Sequence, residues 1–254
     1  MRRTRVIPVL LLKGAGLVKT TRFADSRYVG DPINAVKIFN DKEVDEIAVL
    51  DITASREKRG PNLEFIREFA SESFMPFCFG GGIRNLQDIE NIFRGGVEKV
   101  SINTQLFDNP DLITEAAKVF GNQSIVASID VKKTLLGKYR VARFEGDKLK
   151  TTQWDPVEFA IMMQEKGAGE ILLNSVDRDG TGTGYDLSLI HQVCDKVSIP
   201  VVACGGAGKH EDFAEAVQSG ASAVAAGRMF VFYGKHLAVL INYPEAAVLD
   251  NTLP

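Results

Sequence analysis

Chemistry in this chain is marked by glycine pairs that follow short apolar runs and by single aspartates that end others. Pro200 to Arg228 reads PVVACGGAGKHEDFAEAVQSGASAVAAGR. Val201 to Cys204 predicts a buried strand. Gly205 and Gly206 predict a sharp turn or a close approach of backbone to ligand. His210 to Gln218 predicts an amphipathic helix stopped by Ser219-Gly220, and a second apolar run, Ala221 to Ala226, ends at Gly227-Arg228. Glycines between a strand and a helix leave N–H groups able to hold an anion. Taken alone, such a cluster could equally be a tight strand-to-helix turn.

The stretch, however, occurs twice. At a shift of 124 positions Pro200 falls on Pro76, Gly205-Gly206 on Gly81-Gly82, Asp212 on Asp88, Gly220 on Gly96 and Gly227-Arg228 on Asn103-Thr104. The same shift carries Glu170-Ile171 onto Glu46-Ile47. One offset that serves strands, turns and helices implies two copies of a long unit. Two anion cradles are therefore expected, one from Gly82 with Asn103-Thr104 and one from Gly206 with Gly227-Arg228. Asp179-Gly180, in the loop before the second, could add N–H donors. A ligand with phosphates at both ends would span them. Asp130 ends a strand between the cradles and is placed to act as general acid or base; its structural alternative is a helix N-cap or hairpin anchor. Asp51 is more ambiguous and could simply orient a neighbour. His191, His210 and His236 fall on predicted peripheral helices and receive no chemistry.

The elements that must position these residues alternate along the chain. Predicted strands are Val6 to Leu12, Ile47 to Leu50, Pro76 to Phe79, Lys99 to Ile102, Ser124 to Ile129, Ile171 to Leu173, Val201 to Cys204 and Ala221 to Ala226. Between them lie helices that start at Asp31-Pro32, Asn62, Leu86, Pro110, Asp155-Pro156, Leu187 and His210, with a last one around His236 to Asn242. Lys13 to Gly30 reads as a long polar loop, the kind more often a functional lid than filler. Lys132 to Thr152 alternates polar and apolar residues and predicts an inserted β-hairpin. Ser175 to Gly184 is a glycine- and aspartate-rich loop. Eight strands alternating with eight helices predict a (β/α)8 barrel, whose site forms at the C-terminal ends of the strands. Residues 1–254 are read as one such domain, with half-barrels of about 1–122 and 123–254.

Composition fits this class. Hydrophobic residues make up 45% and charged residues 25%, and the net charge of −3 gives no electrostatic case for nucleic acid. Cys78, Cys194 and Cys204 lack metal-ligand spacing and leave an odd thiol, which suggests a reducing compartment. No cofactor and no metal are expected. Met1-Arg2-Arg3-Thr4-Arg5 resembles a signal n-region, but the apolar run behind it is short and broken by Lys13-Gly14. A cytoplasmic location without membrane contact is the expectation. At the opposite, N-terminal face, Arg5, Glu46, Lys99 and Glu170 begin strands. They could close a ring of ion pairs or gate the barrel axis beneath a docked partner.

Over almost its whole length the chain resembles the cyclase subunit family of imidazole glycerol phosphate synthase. The motifs that carry the match are LDITAS (Leu50 to Ser55), GGGIR (Gly80 to Arg84), KVSIN (Lys99 to Asn103), SID (Ser128 to Asp130), GEILL (Gly169 to Leu173), DRDGTGTGYD (Asp177 to Asp186) and GGAG (Gly205 to Gly208). The resemblance implies a duplicated half-barrel fold and two phosphate sites. It also implies a glutaminase partner on the N-terminal face, with ammonia travelling through the barrel past a gate of Arg5, Glu46, Lys99 and Glu170. Lys19 and Asp130 match the family's active-site positions.

Three departures matter. The family's first strand reads close to CLDVKDGRVVKG, its aspartate one of two catalytic carboxylates, and here Leu11 takes that place. Asn174 stands where threonine is usual, and Arg228 where a small residue is. A leucine cannot transfer a proton. A kept gate with half of the catalytic pair lost resembles the divergent paralogues found with bacterial surface-polysaccharide genes. There a glutaminase and a barrel subunit would supply ammonia to a separate enzyme that amidates a sugar. The alternatives are a histidine-pathway cyclase and a non-catalytic phosphate-sugar-binding barrel.

Overall fold

A computed structural model describes residues 4–234 and 236–253 of the chain; the basic start at Arg2 and Arg3 lies outside them. Short runs of β-branched and aliphatic residues form eight parallel strands. They are β1 (Arg5–Lys13), β2 (Ile47–Asp51), β3 (Phe77–Gly80), β4 (Lys99–Ile102), β5 (Ile125–Lys133), β6 (Glu170–Ser175), β7 (Val201–Cys204) and β8 (Ala223–Ala226). Each pairs with the next, and β8 returns to β1, with Arg5 opposite Ala223 and Ile7 opposite Ala225. The sheet is thus closed, a (β/α)8 barrel.

Closure explains the sequence pattern. Alternate residues of a strand face opposite sides, and here both sides are buried, so the runs are apolar throughout rather than alternating. In β1, Ile7 and Val9 face the barrel axis with Ala48, Cys78, Val126, Leu172, Val202, Ala223 and Ala225. Val6, Leu10 and Leu12 face outward, into the layer beneath the helices. Those helices are α1 (Pro32–Asp41), α2 (Leu63–Glu72), α3 (Leu86–Arg94), α4 (Asp111–Phe120), α5 (Pro156–Glu165), α6 (Leu187–Cys194), α7 (Glu211–Gln218) and α8 (Ala246–Thr252).

Side-chain caps fix where several of them begin. Asp31 accepts from the Asn34 N–H at 2.8 Å, Asn62 from Phe65 at 3.1 Å, Asn85 from Asp88 at 2.9 Å and Asp155 from Val157 at 2.9 Å. Each satisfies one of the helix's orphan donors. Prolines 32 and 156 sit in the first turn, where no N–H is needed.

Two expectations are corrected, and a third is met and extended. Lys13 to Gly30 is not a loop: β1 continues into an antiparallel ribbon of strands Gly16–Thr21 and Ala24–Gly30. The second of these is almost wholly exposed, so it carries no apolar alternation to betray it. The expected hairpin after β5 is present, Tyr139–Glu145 with Lys148–Thr151, and the end of β5 itself pairs with its first strand to make a ribbon of three. The last helix is α8, not His236 to Asn242; Ala238–Val239 there pairs with Phe232–Tyr233 as a small two-stranded sheet, and His236 stands in a turn. Two short helices, Gln105–Asp108 and Arg228–Val231, also follow β4 and β8 directly. Among the described residues no helix is long and apolar enough to cross a membrane.

Candidate active site at the strand C-termini

The C-terminal ends of the strands surround a cavity of about 210 Å³. All the expected strand-end groups line it: Asp51, Gly81-Gly82, Asn103-Thr104, Asp130, Asp179-Gly180, Gly205-Gly206 and Gly227-Arg228, with Lys19 and Leu11. Asp130 stands on β5 between Asn103 and Asn174. The Asn103 amide donates to Asp130 Oδ2 at 3.0 Å and to the Ser128 carbonyl at 3.0 Å, and the Asn174 amide donates to Asp130 Oδ1 at 3.2 Å. Burial pushes the carboxyl up to about 7, although the two amide donors hold it down. A carboxyl poised near neutrality suits proton transfer. The Asn103 side chain is thus spent on Asp130, leaving only its backbone to the first cradle. Asn174 Oδ1 is buried with no hydrogen-bond partner.

Lys19 comes from the ribbon after β1. Its Nζ donates to the Val9 carbonyl, and a Cβ built on Gly227 would lie 2.2 Å from it, so a larger residue there would displace the lysine. Burial lowers the ammonium to about 8, against the pull of Asp179. Asp179 is itself pushed up by burial and held down by Lys19 and Thr20. Its backbone N–H is already bonded to the Ser175 carbonyl at 2.9 Å, so Asp179 gives the second cradle no backbone donor.

The cradles differ in detail. Gly81 and Gly82 have φ of 118° and 75°, and Gly205 and Gly206 have φ of 84° and 125°. A Cβ at Gly81 would sit 2.4 Å from the Asp51 carbonyl, and one at Gly206 2.2 Å from the Gly184 carbonyl. Both turns therefore demand glycine on conformation and on space. Arg228 lies across the second cradle, with Nη1 donating to the Gly180 carbonyl at 2.8 Å. Asp51 does structural work: its Oδ1 accepts from the N–H groups of Thr53 and Ala54, each at 3.0 Å, and its Oδ2 from Arg59 at 3.3 Å. Leu11 packs with Leu50 and Cys204 on the inner apolar cluster. Among the described residues no cluster of three or more His, Cys, Asp or Glu side chains is placed to hold a metal ion.

At the other end of the axis the four expected charges do meet. Arg5 bridges Glu46 and Glu170, and Lys99 Nζ lies 3.0 Å from Glu46 and 2.9 Å from Glu170. The glutamates are buried. Burial works against the charge on Lys99, but both glutamates outweigh it and hold the ammonium above its ordinary value. The ring closes the floor of the barrel, separated from the cavity by the apolar axis residues. Sequence reasoning missed Phe23, Arg56 and Phe144, which also line the cavity; none stands in a glycine or aspartate motif that would have marked it.

Comparison with known proteins places this architecture. The model of the family described as "Histidine biosynthesis protein" matches residues 5–237. A provisionally named imidazole glycerol phosphate synthase subunit hisF2 of Pseudomonas aeruginosa is 51% identical over 98% of this chain and 99% of its own length. A provisionally named subunit hisF3 of Vibrio vulnificus is 48% identical over 100% of this chain and 97% of its own. The imidazole glycerol phosphate synthase subunit HisF of Pyrobaculum aerophilum is 44% identical over 94% of both.

Proposed function

Since the chain belongs to the histidine biosynthesis protein family and is HisF-like over its whole barrel, we propose that it is the barrel subunit of a glutamine amidotransferase complex. In this reading a glutaminase docks on the N-terminal face in the cytoplasm. Ammonia enters through the ring of Arg5, Glu46, Lys99 and Glu170 and emerges in the cavity for transfer to a separate acceptor, a surface-polysaccharide sugar. The observation that carries it is the pairing of a complete charged ring with an apolar residue, Leu11, in the cavity wall.

Physical chemistry supports the route. The axis between ring and cavity is lined by Ile7, Ala48, Cys78, Val126, Val202, Ala223 and Ala225. Neutral ammonia can cross such a lining, whereas ammonium would lose its hydration without compensation. Either Arg5 or Lys99 must swing aside for passage. Both are partly exposed at side-chain values of 28% and 20%, against 6% and 7% for the glutamates, so the cations are the members free to move. At the cavity end Asp130, poised near neutrality, and Lys19 would take up or release the proton that distinguishes the two forms. Gly82 with Thr104, and Gly206 with Arg228, would hold an anionic ligand.

A second reading, ring closure to imidazole glycerol phosphate, is favoured by Asp130 alone, since its carboxyl is tuned for general acid–base work. The two are separated by supplying the chain with ammonium salt and the histidine-pathway cyclase substrate. Loss of one of two facing carboxylates should remove a factor on the order of 10²–10⁴, so product should form slowly or not at all, and Leu11→Asp should restore part of it. Turnover of the wild-type chain at about 1 s⁻¹ or more would make it a cyclase and set the conduit reading aside.

A further inference from the structure

The two asparagines that flank Asp130 are not equally free to move. Asn103 Nδ2 donates to the Ser128 carbonyl and to Asp130 Oδ2, each at 3.0 Å. Both of its protons are spent, so turning this amide over would break two hydrogen bonds and set its own oxygen against two acceptors. Asn174 lies directly opposite Asp130 on the neighbouring strand β6. Its Nδ2 donates to Asp130 Oδ1 at 3.2 Å, while its Oδ1 is sealed from solvent without a hydrogen-bond partner. That oxygen is turned toward Gly205, where an added Cβ would come within 2.5 Å of it. Leaving a buried acceptor unpaired costs on the order of 1–3 kcal/mol, and the cost ends if the amide turns over and meets a donor. A turned amide places its oxygen about where the nitrogen now stands, facing Asp130 Oδ1. A donor appears there when Asp130 takes up a proton.

From this asymmetry we infer that Asn174 is a positioning residue whose amide turns over with the proton of Asp130. The base form is held by both amides. The acid form carries its proton on Oδ1 and donates it to the Asn174 oxygen, while Asn103 keeps Oδ2 an acceptor. The proton comes from solvent or from a bound acid such as ammonium, and returns there as the amide turns back. Threonine, usual at this position in the family, donates and accepts through one hydroxyl and would need no such turn. The inference rests on the reading of Asp130 as the group that exchanges a proton in the cavity, and adds which oxygen carries that proton and what moves with it. The other charged and titratable groups around it are Asp179 on the loop after β6, Lys19 on the ribbon after β1 and Cys204 on β7, with Asp51, Arg56 and Arg228 on the same cavity wall. Asp179 opposes a second negative charge, and burial pushes the Cys204 thiol up to about 12, so it stays neutral. Among the described residues, Asn103 and Asn174 alone donate hydrogen bonds to the Asp130 carboxyl.

Neutron diffraction from deuterium-exchanged crystals of the full chain reads this directly, at about two pH units below and above the carboxyl's value of about 7. At the higher pH both amides should point deuterons at Asp130. At the lower, a deuteron should sit on Oδ1, the Asn174 oxygen should face it with Nδ2 toward Gly205, and Asn103 should be unchanged. One orientation of Asn174 at both pH values, or a deuteron on Oδ2, overturns the inference while leaving Asp130 as the proton carrier. No deuteron on Asp130 at the lower pH overturns both together. In solution, NMR of the Asp130 carboxyl carbon gives a second check. A hydrogen bond to the charged form is the stronger one, so the titration midpoint should rise in Asn174→Val, which offers none. It should return most of the way in Asn174→Thr, whose hydroxyl serves either form. A midpoint unmoved in Asn174→Val overturns the inference, and the wild-type diffraction result stands as the test if that variant fails to fold.

Discussion

Asp130 shows what one side chain contributes to both stability and chemistry. Its folded pKa of about 7 lies above that of an unfolded aspartate, about 4, so the folded chain binds a proton more tightly than the unfolded one. Stability should therefore fall as pH rises from about 4 to about 7 and stay low above that. Asp130→Asn removes the charge while keeping the shape. Rotation of the Asn174 amide, whose Oδ1 now lacks a partner, would accommodate the new donor. The variant should be more stable than wild type at pH 8 by roughly 1–3 kcal/mol, and no more stable at pH 4. Thermal melts at the two pH values check this, and equal gains at both would mean that burial is not what raises the carboxyl. Lys19 acts in the opposite sense. Its pKa is lowered to about 8, so the stability it takes away returns as pH climbs from about 8 to 10.5.

At the scale of elements, the ribbon after β1 depends on a close fit against the loop after β6. Gly180 has φ of 67°, and a Cβ there would lie 2.2 Å from the Thr20 carbonyl. Gly180→Ala should lower stability by roughly 2–3 kcal/mol and increase amide exchange at Lys19 to Phe23 more than in β5 or β6. Uniform exchange changes would contradict the docking. The cradles make a related prediction. Crystals soaked in high phosphate should show an anion near Gly82 with Thr104, near Gly206 with Gly227, or at both; two empty cradles would count against the phosphate reading.

Much of this level was legible in the sequence because strands buried on both faces, glycine turns and capped helices each carry a local signature. Asp31-Pro32 and Asp155-Pro156 announced α1 and α5, and β4 was bounded to the residue. The ribbon strand Ala24–Gly30 was not legible, since five of its seven residues are exposed and no apolar period marks it. Phe23, Arg56 and Phe144 escaped for a different reason: what brings them together is the meeting of two ribbons and the loop after β2 over the mouth, a tertiary fact with no local trace. The misplacement of the last helix came from reading His236 to Asn242 as periodic, where Ala238 and Val239 pair in a two-stranded sheet instead.

For the whole molecule, the ring at the barrel floor joins the fold to the proposed function. It was read from four strand-start residues scattered over 166 positions, and they do close on one another. Removing one cation leaves two buried glutamates facing Arg5 alone. For a fully buried group the loss would be about 3–5 kcal/mol, and with Lys99 partly exposed roughly 1–3 kcal/mol is expected for Lys99→Ala. Urea unfolding would show it as a lower midpoint with an unchanged slope. The same variant should alter ammonia transfer, because the floor is both a structural closure and the proposed entrance.

The conduit account is tested most directly by purifying the chain with the glutaminase it is proposed to bind and measuring complex formation together with glutamine turnover. A complex should form at micromolar concentrations, docked on the face that carries Arg5, Glu46, Lys99 and Glu170. Glutamine hydrolysis by the glutaminase should rise when the barrel binds, and Lys99→Ala should change the fraction of ammonia that leaves through the barrel while the complex persists. No association at micromolar concentrations, or turnover indifferent to the barrel, would contradict the account.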